Sequence, residues 1–292
     1  MKRKIYIKLI GGLGNQLFQY SCAKNLSIEL NADLIVDDIT GFIFDRSFKR
    51  KKTLPKNLDY HKINFLDIFI FNLIILIKKI FFKKKIFLKF YSNMFVDETK
   101  SNKFLKNLPH TFKEYKRIYM IGFFQSEKYF LENKNEIVNK ILKNKISNHK
   151  IKKIKSKISK KSIFVGIRMF EEAHLNIRQN FGGIESYSFY NNKIKIYKKL
   201  IKNPKFMIFS TLNKKKINKN IVENCEIVDN KNLSNSDDFE YLLLISNFSN
   251  FIISNSSYYW WGALLAENNK KINILASKKF LDINTVPSRW NC

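Results

Sequence analysis

The stretch "KIYIKLIGGLGNQLFQYSCAKNLSIELNADLIVD", residues 4–37, decides the fold of the N-terminal half. Its first seven residues are rich in β-branched and apolar side chains and predict a buried strand. Apolar residues then recur every three or four positions from Leu17 to Leu30, which predicts a helix of about four turns. Residues 33–37 predict a second strand. The stretch is therefore a β-α-β unit with a parallel sheet, whose functional edge lies at the carboxyl ends of the strands.

The loop "GGLGNQ" joins the predicted strand to the helix, and its glycines indicate a close approach of the backbone to another group. The dinucleotide fingerprint is G-x-G-x-x-G; Gly12 and Gly14 match it, but Leu17 takes the third position. Acidic residues after the next strand, Asp37 and Asp38, keep the dinucleotide alternative open, and so does a tight turn whose amides cap the helix. The residues that we expect at a nucleotide are Gly12, Gly14, Asn15 and Gln16.

The composition is that of a folded, strongly basic protein. The 292 residues are 45% hydrophobic and carry a net charge of +30, which is high enough to suggest nucleic acid or an anionic membrane as a partner. Only seven of the 54 basic residues are arginine, however, and the chain is rich in Lys, Asn, Ile and Phe. This mixture is typical of an AT-rich coding sequence, so we expect no nucleic-acid partner, whereas contact with acidic lipid stays open. Each scarce arginine is a candidate for a specific role.

Cysteine usage and hydropathy bear on the cellular compartment. Three widely spaced cysteines match no metal or disulfide pattern, and the N-terminus resembles no signal peptide, so we expect a cytoplasmic protein. The most apolar stretch, 65–77, is too short to span a bilayer. The lysines interleaved with Phe and Ile in 78–90 suggest a membrane surface, but they spread around the helical wheel. A buried helix followed by a solvated connection is the alternative.

The rest of the chain alternates strands and helices. Residues 40–115 are irregular in pattern, 117–124 predict a strand, and 134–161 predict a helical linker. The second half predicts strands at 162–167, 206–210, 225–229, 251–254 and 272–276, and helices near 188–201, 237–247 and 258–267. The predicted fold class is therefore α/β, with two Rossmann-like halves whose parallel sheets face a cleft. We expect domains at 1–155, which contains the "GGLGNQ" loop, and at 156–292.

Two motifs of the second half have the chemistry of a phosphate or sugar site. In "FIISNSSYYWWGALLAE", 251–267, a strand runs into the polar residues Ser254, Asn255, Ser256 and Ser257 at the start of a helix. A well-capped buried helix is the structural alternative; Trp260 and Trp261 would both be core only if that helix were central. In "FVGIRMFEEAH", 164–174, a strand ends at an arginine suited to a diphosphate. The candidate catalytic residues are Arg168, Glu171, Glu172 and His174, although an exposed Arg168–Glu172 ion pair remains the simpler interpretation.

Taken in order, these motifs resemble one family. "GGLGNQLFQYS", "IGFFQSEKYF" (121–130), the arginine at the strand end, "FIISNSSYYWWGALL" and "PSRW" (287–290) are similar to segments of the bacterial α-1,2-fucosyltransferases of glycosyltransferase family 11. The resemblance implies a GT-B-like fold and transfer of fucose from GDP-fucose to the 2-hydroxyl of a galactoside, with inversion and without a metal. It implies that domain 1–155, with the "GGLGNQ" loop, is on the acceptor side and that domain 156–292 binds the GDP-sugar. It also implies a role in building O-antigen, lipooligosaccharide or capsule at the inner face of the cytoplasmic membrane.

The same resemblance assigns the basic motif. The family's usual His-x-Arg-Arg-Gly-Asp falls on 166–171, so Arg168 is the residue expected to hold the β-phosphate of the donor. The chain departs from the motif at three positions, Gly166, Met169 and Glu171, and it lacks the family's acidic pair after "FS". Three alternatives stay open: a transferase for another GDP-6-deoxyhexose, an NAD-dependent dehydrogenase, and a non-catalytic basic binding protein.

Overall fold

The computed structural model describes residues 2–43, 45, 49–101, 104–170, 182–210, 217, 225–228, 238–280 and 282–291. The chain divides into two compact units, Met1–Ile141 and Leu142–Cys292. Each unit is an α/β layer structure with its own sheet, so the prediction of two Rossmann-like halves with parallel sheets is confirmed.

The first unit is built on a sheet of six strands among the described residues. These are β1 (Arg3–Lys8), β2 (Ala32–Asp37), β3 (His61–Lys62), β4 (Phe87–Phe90), β5 (Asn93–Asp97) and β6 (Arg117–Ile121). They lie in the order β3-β2-β1-β6-β5-β4, and only the pairing of β4 with β5 is antiparallel. Ile5, Tyr6 and Ile7 of β1 are completely buried, as expected for a central strand of a parallel sheet.

The helices of this unit are α1 (Leu13–Glu29), α2 (Thr40–Ile43), α3 (Phe65–Phe81), α4 (Leu108–Phe112) and α5 (Lys134–Leu142). The predicted β-α-β unit is confirmed: β1, α1 and β2 follow one another, and the two strands pair in parallel from Arg3 with Ala32 to Lys8 with Asp37. Helix α1 is buried around most of its circumference, its glutamines Gln16 and Gln19 included.

The second unit has a sheet of five parallel strands among the described residues. Its elements are α6 (His149–Lys155), β7 (Ser162–Ile167), α7 (Tyr187–Leu200), β8 (Lys205–Ser210), β9 (Cys225–Ile227), α8 (Asp238–Ile245), β10 (Asn250–Ile253), α9 (Ser257–Glu267) and β11 (Asn273–Ala276). The order is β11-β10-β7-β8-β9. The strands and helices predicted for this half are confirmed to within two residues at each end, because continuous apolar runs such as "SIFVGI" are typical of buried parallel strands.

Helix α6 follows the point at which the chain passes from the first unit to the second. The sequence suggested a boundary after residue 155, whereas the division lies after Ile141, so α6 belongs to the second unit. There Oε2 of Glu240 in α8 accepts hydrogen bonds from the backbone N–H groups of Ser147 (2.9 Å) and Asn148 (2.8 Å). The predicted linker, 134–161, is thus two helices, each packed in its own unit.

Both sheets reverse their strand order at a defined point. In the first, the chain moves outward from β1 to β3 on one side, and β6 lies on the other side of β1. In the second, β7 is flanked by β8 on one side and by β10 on the other. Ligands of open α/β sheets bind at such points, outside the carboxyl ends of the strands. Here the loops that follow β1 and β6 in one unit, and β7 and β10 in the other, are the segments that the sequence singled out.

The region 40–115 is more regular than its pattern indicates. It supplies β3, β4 and β5, and β5 pairs with β6 from Asn93 with Arg117 to Asp97 with Ile121. The apolar stretch forms α3, but the alternative of a buried helix is wrong, because most of its apolar side chains point to solvent. Among the described residues, no helix combines the length and the apolar character that crossing a membrane requires.

Candidate functional site

The glycine loop of the first unit lies at the point where the strand order reverses. Gly11 has a φ of +79°, and a Cβ there would lie 2.7 Å from Nδ2 of Asn15, so this turn requires glycine. Gly12 is the N-cap of α1, and among the described residues no side chain caps the helix. The first turn contains no acidic residue. No carboxylate of the first turn therefore neutralises the partial positive charge at the N-terminus of the helix. This charge favours the binding of an anion.

Gln16, one of the expected nucleotide contacts, uses its amide within the protein. Its Nε2 donates to the backbone oxygens of Gly11 (3.0 Å) and Lys51 (2.9 Å), and its Oε1 accepts from the N–H of Thr53 (2.9 Å). The side chain is completely buried. Gln16 therefore shapes the loop by tying segment 51–53 to the glycine turn.

Two polar contacts join the loops that follow β1 and β6. Oε1 of Gln19 accepts from the N–H of Ile10 (3.0 Å), and its Nε2 donates to the backbone oxygen of Gly122 (2.9 Å). At the surface of the same edge, Nε2 of Gln125 donates to Oδ1 of Asn15 (2.7 Å). Gln125 was not among the candidate residues, although it belongs to the quoted segment "IGFFQSEKYF", which is the signal that could have identified it.

Arg50 is a second residue that the sequence analysis missed. A Cβ on Gly12 would lie 3.0 Å from Nη1 of Arg50, so the guanidinium lies against the backbone of the glycine turn. This position brings a positive charge close to the N-terminus of α1, and both favour an anion. The scarcity of arginine in the chain is the only sequence signal for it, because Arg50 is far from the loop in sequence and belongs to no motif.

The acidic residues that kept a dinucleotide alternative open both have protein partners. Oδ1 of Asp37 accepts from the backbone N–H groups of Ile39 (3.1 Å) and Thr40 (2.9 Å), and so caps α2. Asp38 forms an ion pair with Lys52 at 2.6 Å. Because both carboxylates bind groups of the protein, neither is placed to accept hydrogen bonds from a ribose.

In the second unit, Arg168 follows β7 directly. It is partly exposed, and its Cζ lies over the Phe170 ring, 4.7 Å from the ring centre, a distance at which the cation and the ring attract each other. The predicted position of this arginine, at the carboxyl end of a buried strand, is confirmed. It is one strand away from Ser254, which follows β10.

A buried pair of hydroxyls lies between these strand ends. Tyr190 of α7 is completely buried next to Ser254 and the backbone of Arg168. Burial raises the pKa of the Tyr190 hydroxyl, so it stays protonated and remains able to donate. Neither Oη of Tyr190 nor Oγ of Ser254 has a hydrogen bond of ordinary geometry to another described residue. The strand reversal point thus contains buried polar atoms whose hydrogen-bonding capacity is not used up.

The other members of the polar segment have structural roles as well. Nδ2 of Asn255 donates to the backbone oxygens of Gly183 (2.9 Å) and Lys279 (3.2 Å), which holds two loops against the end of β10. Oγ of Ser256 accepts from the N–H of Tyr259 (3.5 Å) and caps α9. Ser257 is the first residue of α9 and is partly exposed.

Helix α9 is central in its unit, and this explains its two tryptophans. Residues 259–266 are all buried, so Trp260 and Trp261 are both core residues. Nε1 of Trp260 donates to the backbone oxygen of Thr285 (2.8 Å), and its ring lies 5.4 Å from that of Trp290. Arg289 donates through Nε to Oε1 of Glu267 (2.7 Å). The segment "PSRW" therefore closes the core over α9.

The remaining candidates, Glu171, Glu172 and His174, lie outside the described residues. Within the part of the chain that is described, no group of three or more His, Cys, Asp or Glu side chains is arranged to hold a metal ion.

Comparisons with known proteins bear on the fold and the family of this chain. A mutant of Arabidopsis thaliana FUT1 in complex with GDP is similar in structure, with a TM-score of 0.51, 10% sequence identity, and coverage of 91% of this chain and 68% of that chain. Fucosyltransferase NodZ from Bradyrhizobium aligns with a TM-score of 0.47 and 12% identity over 91% of this chain and 93% of its own. No curated protein matches the sequence. The likeness to FUT1, with the two parallel sheets, confirms the GT-B-like α/β fold class.

The sequence model of glycosyl transferase family 11 matches residues 2–283, which include both sheets and both strand reversal points. This match spans the glycine loop, Arg168 and the polar segment 254–257 in a single alignment. The chain therefore belongs to glycosyl transferase family 11.

Proposed function

We propose that this protein is a galactoside 2-α-L-fucosyltransferase that uses GDP-fucose. Its family and its similarity in fold to FUT1, which was crystallised with GDP, support a GDP-sugar donor. The proposed acceptor is a galactoside-containing glycan of a surface polysaccharide, such as O-antigen, lipooligosaccharide or capsule, assembled at the inner face of the cytoplasmic membrane. Family membership favours transfer over the NAD-dependent alternative, and so do the protein partners of Asp37 and Asp38.

The observation that supports a donor site in the second unit is the neighbourhood of Arg168 and Ser254. They follow adjacent strands at the point of strand reversal, with the buried hydroxyl of Tyr190 between them. A guanidinium binds two oxygens of a diphosphate in one plane, and hydroxyl groups satisfy the remaining oxygens or those of the sugar. In the first unit, the N-terminus of α1 and Arg50 supply a second region that favours negative charge.

In the proposed reaction, the bond between fucose C1 and the β-phosphate oxygen breaks, and GDP leaves with the electron pair. The acceptor 2-hydroxyl oxygen attacks C1 from the opposite face, and its proton passes to a base, for which Glu171, Glu172 and His174 are the candidates. Charge grows on the diphosphate as the bond breaks, so Arg168 stabilises the transition state more than the bound donor. We propose that Arg168 does this without a metal ion.

The test is acceptor-dependent release of GDP from GDP-fucose in the presence of EDTA. Wild type should release GDP with a galactoside but not with its 2-deoxy analogue, and NMR of the product should show an α-1,2 linkage. Arg168→Ala should lower kcat by about a hundredfold or more, because removing one transition-state contact costs about 3 kcal/mol. Arg117→Ala, which changes an arginine at the amino end of β6 in the other unit, is the matched control and should leave kcat unchanged.

Other results would redirect the proposal. Release from a different GDP-6-deoxyhexose, and none from GDP-fucose, would assign the other donor. Turnover that ignores Arg168 would retain the reaction and overturn the donor site. Salt-sensitive binding to polyanions without any turnover would indicate the basic binding protein instead.

A further inference from the structure

Helix α3 presents an apolar face to solvent. Phe65 is 86% exposed and Phe69 62%. From residue 65 to 77, every exposed side chain is apolar. The exposed positions form one stripe at helical spacing: Leu66, Phe69, Leu73, Leu76, Ile77 and Ile80. Contiguous apolar surface of this kind on a water-soluble fold marks a contact with another apolar phase or partner.

The inner face of the same helix holds three of its four polar residues. Oη of Tyr6 donates to Oδ2 of Asp67 (3.0 Å), Nζ of Lys8 donates to Oδ1 of Asn72 (3.0 Å), and Lys78 forms a buried ion pair with Asp97. Phe71 and Ile74 complete this face and pack on the sheet. The usual arrangement of a surface helix is therefore inverted. Asp67, Asn72 and Lys78 are paired inside the unit, and from residue 65 to 77 the outer face carries no hydrogen-bonding side chain.

A cluster of lysines adjoins the C-terminal end of the apolar face. Lys79, Lys83, Lys84 and Lys85 are all exposed, and the lone carboxylate of α3, that of Asp67, is buried. An apolar stripe beside a group of cations is the arrangement with which interfacial helices bind anionic bilayers. In such helices the lysines bind lipid phosphates, and the apolar side chains enter the acyl region.

We propose that α3 docks this unit on the surface of an anionic membrane, with its axis parallel to the bilayer plane. The 17 residues of α3 extend over roughly 25 Å, which is less than the hydrocarbon thickness, and the inner face is fixed to the sheet by its polar pairs. The helix therefore lies on the bilayer and does not cross it. This inference does not rest on the proposed fucosyl transfer.

Charge distinguishes a membrane from a second copy of this chain as the occupant. The protein carries a net charge of +30, and the exposed face of α3 contains no acidic residue to pair with the lysines of a partner copy. Anionic lipid supplies both the apolar phase and the negative charge that this face lacks.

Flotation with vesicles tests the proposal. The full chain should float with vesicles of phosphatidylcholine and phosphatidylglycerol in equal amounts, and much less with phosphatidylcholine alone. Phe69→Gln with Leu76→Gln should weaken binding by at least about tenfold, as should Lys83→Gln with Lys84→Gln and Lys85→Gln. The matched controls are Ile196→Gln with Leu200→Gln, two exposed apolar residues of α7, and Lys152→Gln with Lys153→Gln and Lys155→Gln on α6. Both should bind as wild type does.

A Phe69→Trp variant measures insertion directly. The native tryptophans are at most 4% exposed, so quenching by brominated lipid should report the new side chain. Quenching in anionic vesicles supports docking by α3. Absence of flotation, or equal losses in the Lys83/Lys84/Lys85 variant and the Lys152/Lys153/Lys155 variant, would overturn it. A dimer in sedimentation that the Phe69/Leu76 variant abolishes, without vesicle binding, would assign the face to a second copy instead.

Discussion

The ring of Tyr259 lies directly against the backbone of Gly166. A Cβ at Gly166 would be 2.6 Å from Cδ2 of Tyr259 and 2.8 Å from Cε1 of Phe164, closer than packed atoms approach. Oη of Tyr259 lies 3.2 Å from the carbonyl oxygen of Phe209 and 3.4 Å from that of Ile167, so the side chain spans the ends of β7 and β8. Gly166 lies two residues before Arg168, at the position where the family's usual motif has histidine. Here the ring of Tyr259 fills the space that a side chain at this position would need.

Replacing Gly166 should therefore destabilise the second unit. We expect Gly166→Ala to lower the free energy of unfolding by about 1–3 kcal/mol, the usual cost of overpacking a core, and Gly166→His to cost more. Urea denaturation followed by tryptophan fluorescence measures this. In a double-mutant cycle, the penalty of Gly166→Ala should be smaller in a Tyr259→Ala background, because the clashing ring is gone. An equal penalty in both backgrounds would show that Tyr259 is not the cause.

Gln16 should stabilise the first unit through the hydrogen bonds that hold the glycine loop. Gln16→Met keeps the length of the side chain but removes the hydrogen bonds to Gly11, Lys51 and Thr53, leaving backbone groups unpaired. We expect a loss of about 2–3 kcal/mol in the free energy of unfolding of the first unit. Gln125→Met, which removes the single contact to Asn15, is the comparison and should cost about 1 kcal/mol or less. Equal losses in the two variants would contradict the structural role of Gln16.

The sequence predicts the parallel strands of the second unit well because their side chains are buried on both faces. Strand β7 is an unbroken apolar run, which leaves little choice of structure. Strand β5 was missed because "NMFVD" is five residues long and lies among lysines, and its pairing with β6 and β4 is what makes it a strand. The exposed side of α3 was not predicted, for a related reason. An apolar run indicates burial, and periodicity does not tell which side faces the sheet when paired polar residues point inward.

For the candidate site, the sequence predicts which residues lie at strand ends better than it predicts which protein groups those residues bind. Arg168 lies at the strand end, as predicted. Gln16 and Asn255 are polar residues in motifs, yet their amides bind backbone carbonyls of segments remote in sequence. A sequence cannot show which distant carbonyl needs a donor. Arg50 was missed for the same reason, because only the folded chain brings it against Gly12.

Glu226 should give the second unit an acid-sensitive contribution. It lies in edge strand β9, where its carboxylate binds Lys157 at 2.9 Å and Lys205 at 3.0 Å. These two cations lower the pKa of Glu226 from its ordinary value of 4.5. Since the folded state binds the proton less tightly than the unfolded state, the contribution is complete above pH 4.5 and is lost as the pH falls through the lowered pKa.

The corresponding variant is Glu226→Gln. Because the pair is partly exposed and screened by salt, wild type should exceed the variant by about 1 kcal/mol or less at neutral pH, and the two should converge in acid. Thermal unfolding midpoints of wild type and variant, measured from neutral pH into acid at low and high salt, give this difference in stability. Glu114→Gln, at an exposed position of the other unit, provides the control and should show no such convergence. A difference that persists in acid would mean that Glu226 acts through packing.

The buried ion pair beneath α3 should be stabilising only as a pair. Lys78 is 2% exposed and Asp97 is 7% exposed. Lys78→Met leaves the Asp97 carboxylate buried without its cation, so we expect a loss of about 3–5 kcal/mol, whereas Lys78→Met with Asp97→Leu should lose much less, because no charge remains to be desolvated. Lys79→Met, at the exposed neighbouring position, is the matched control and should have no effect on unfolding in urea without membranes. If the double variant were as unstable as Lys78→Met alone, the loss would come from the packing of the lysine stem and not from the uncompensated carboxylate.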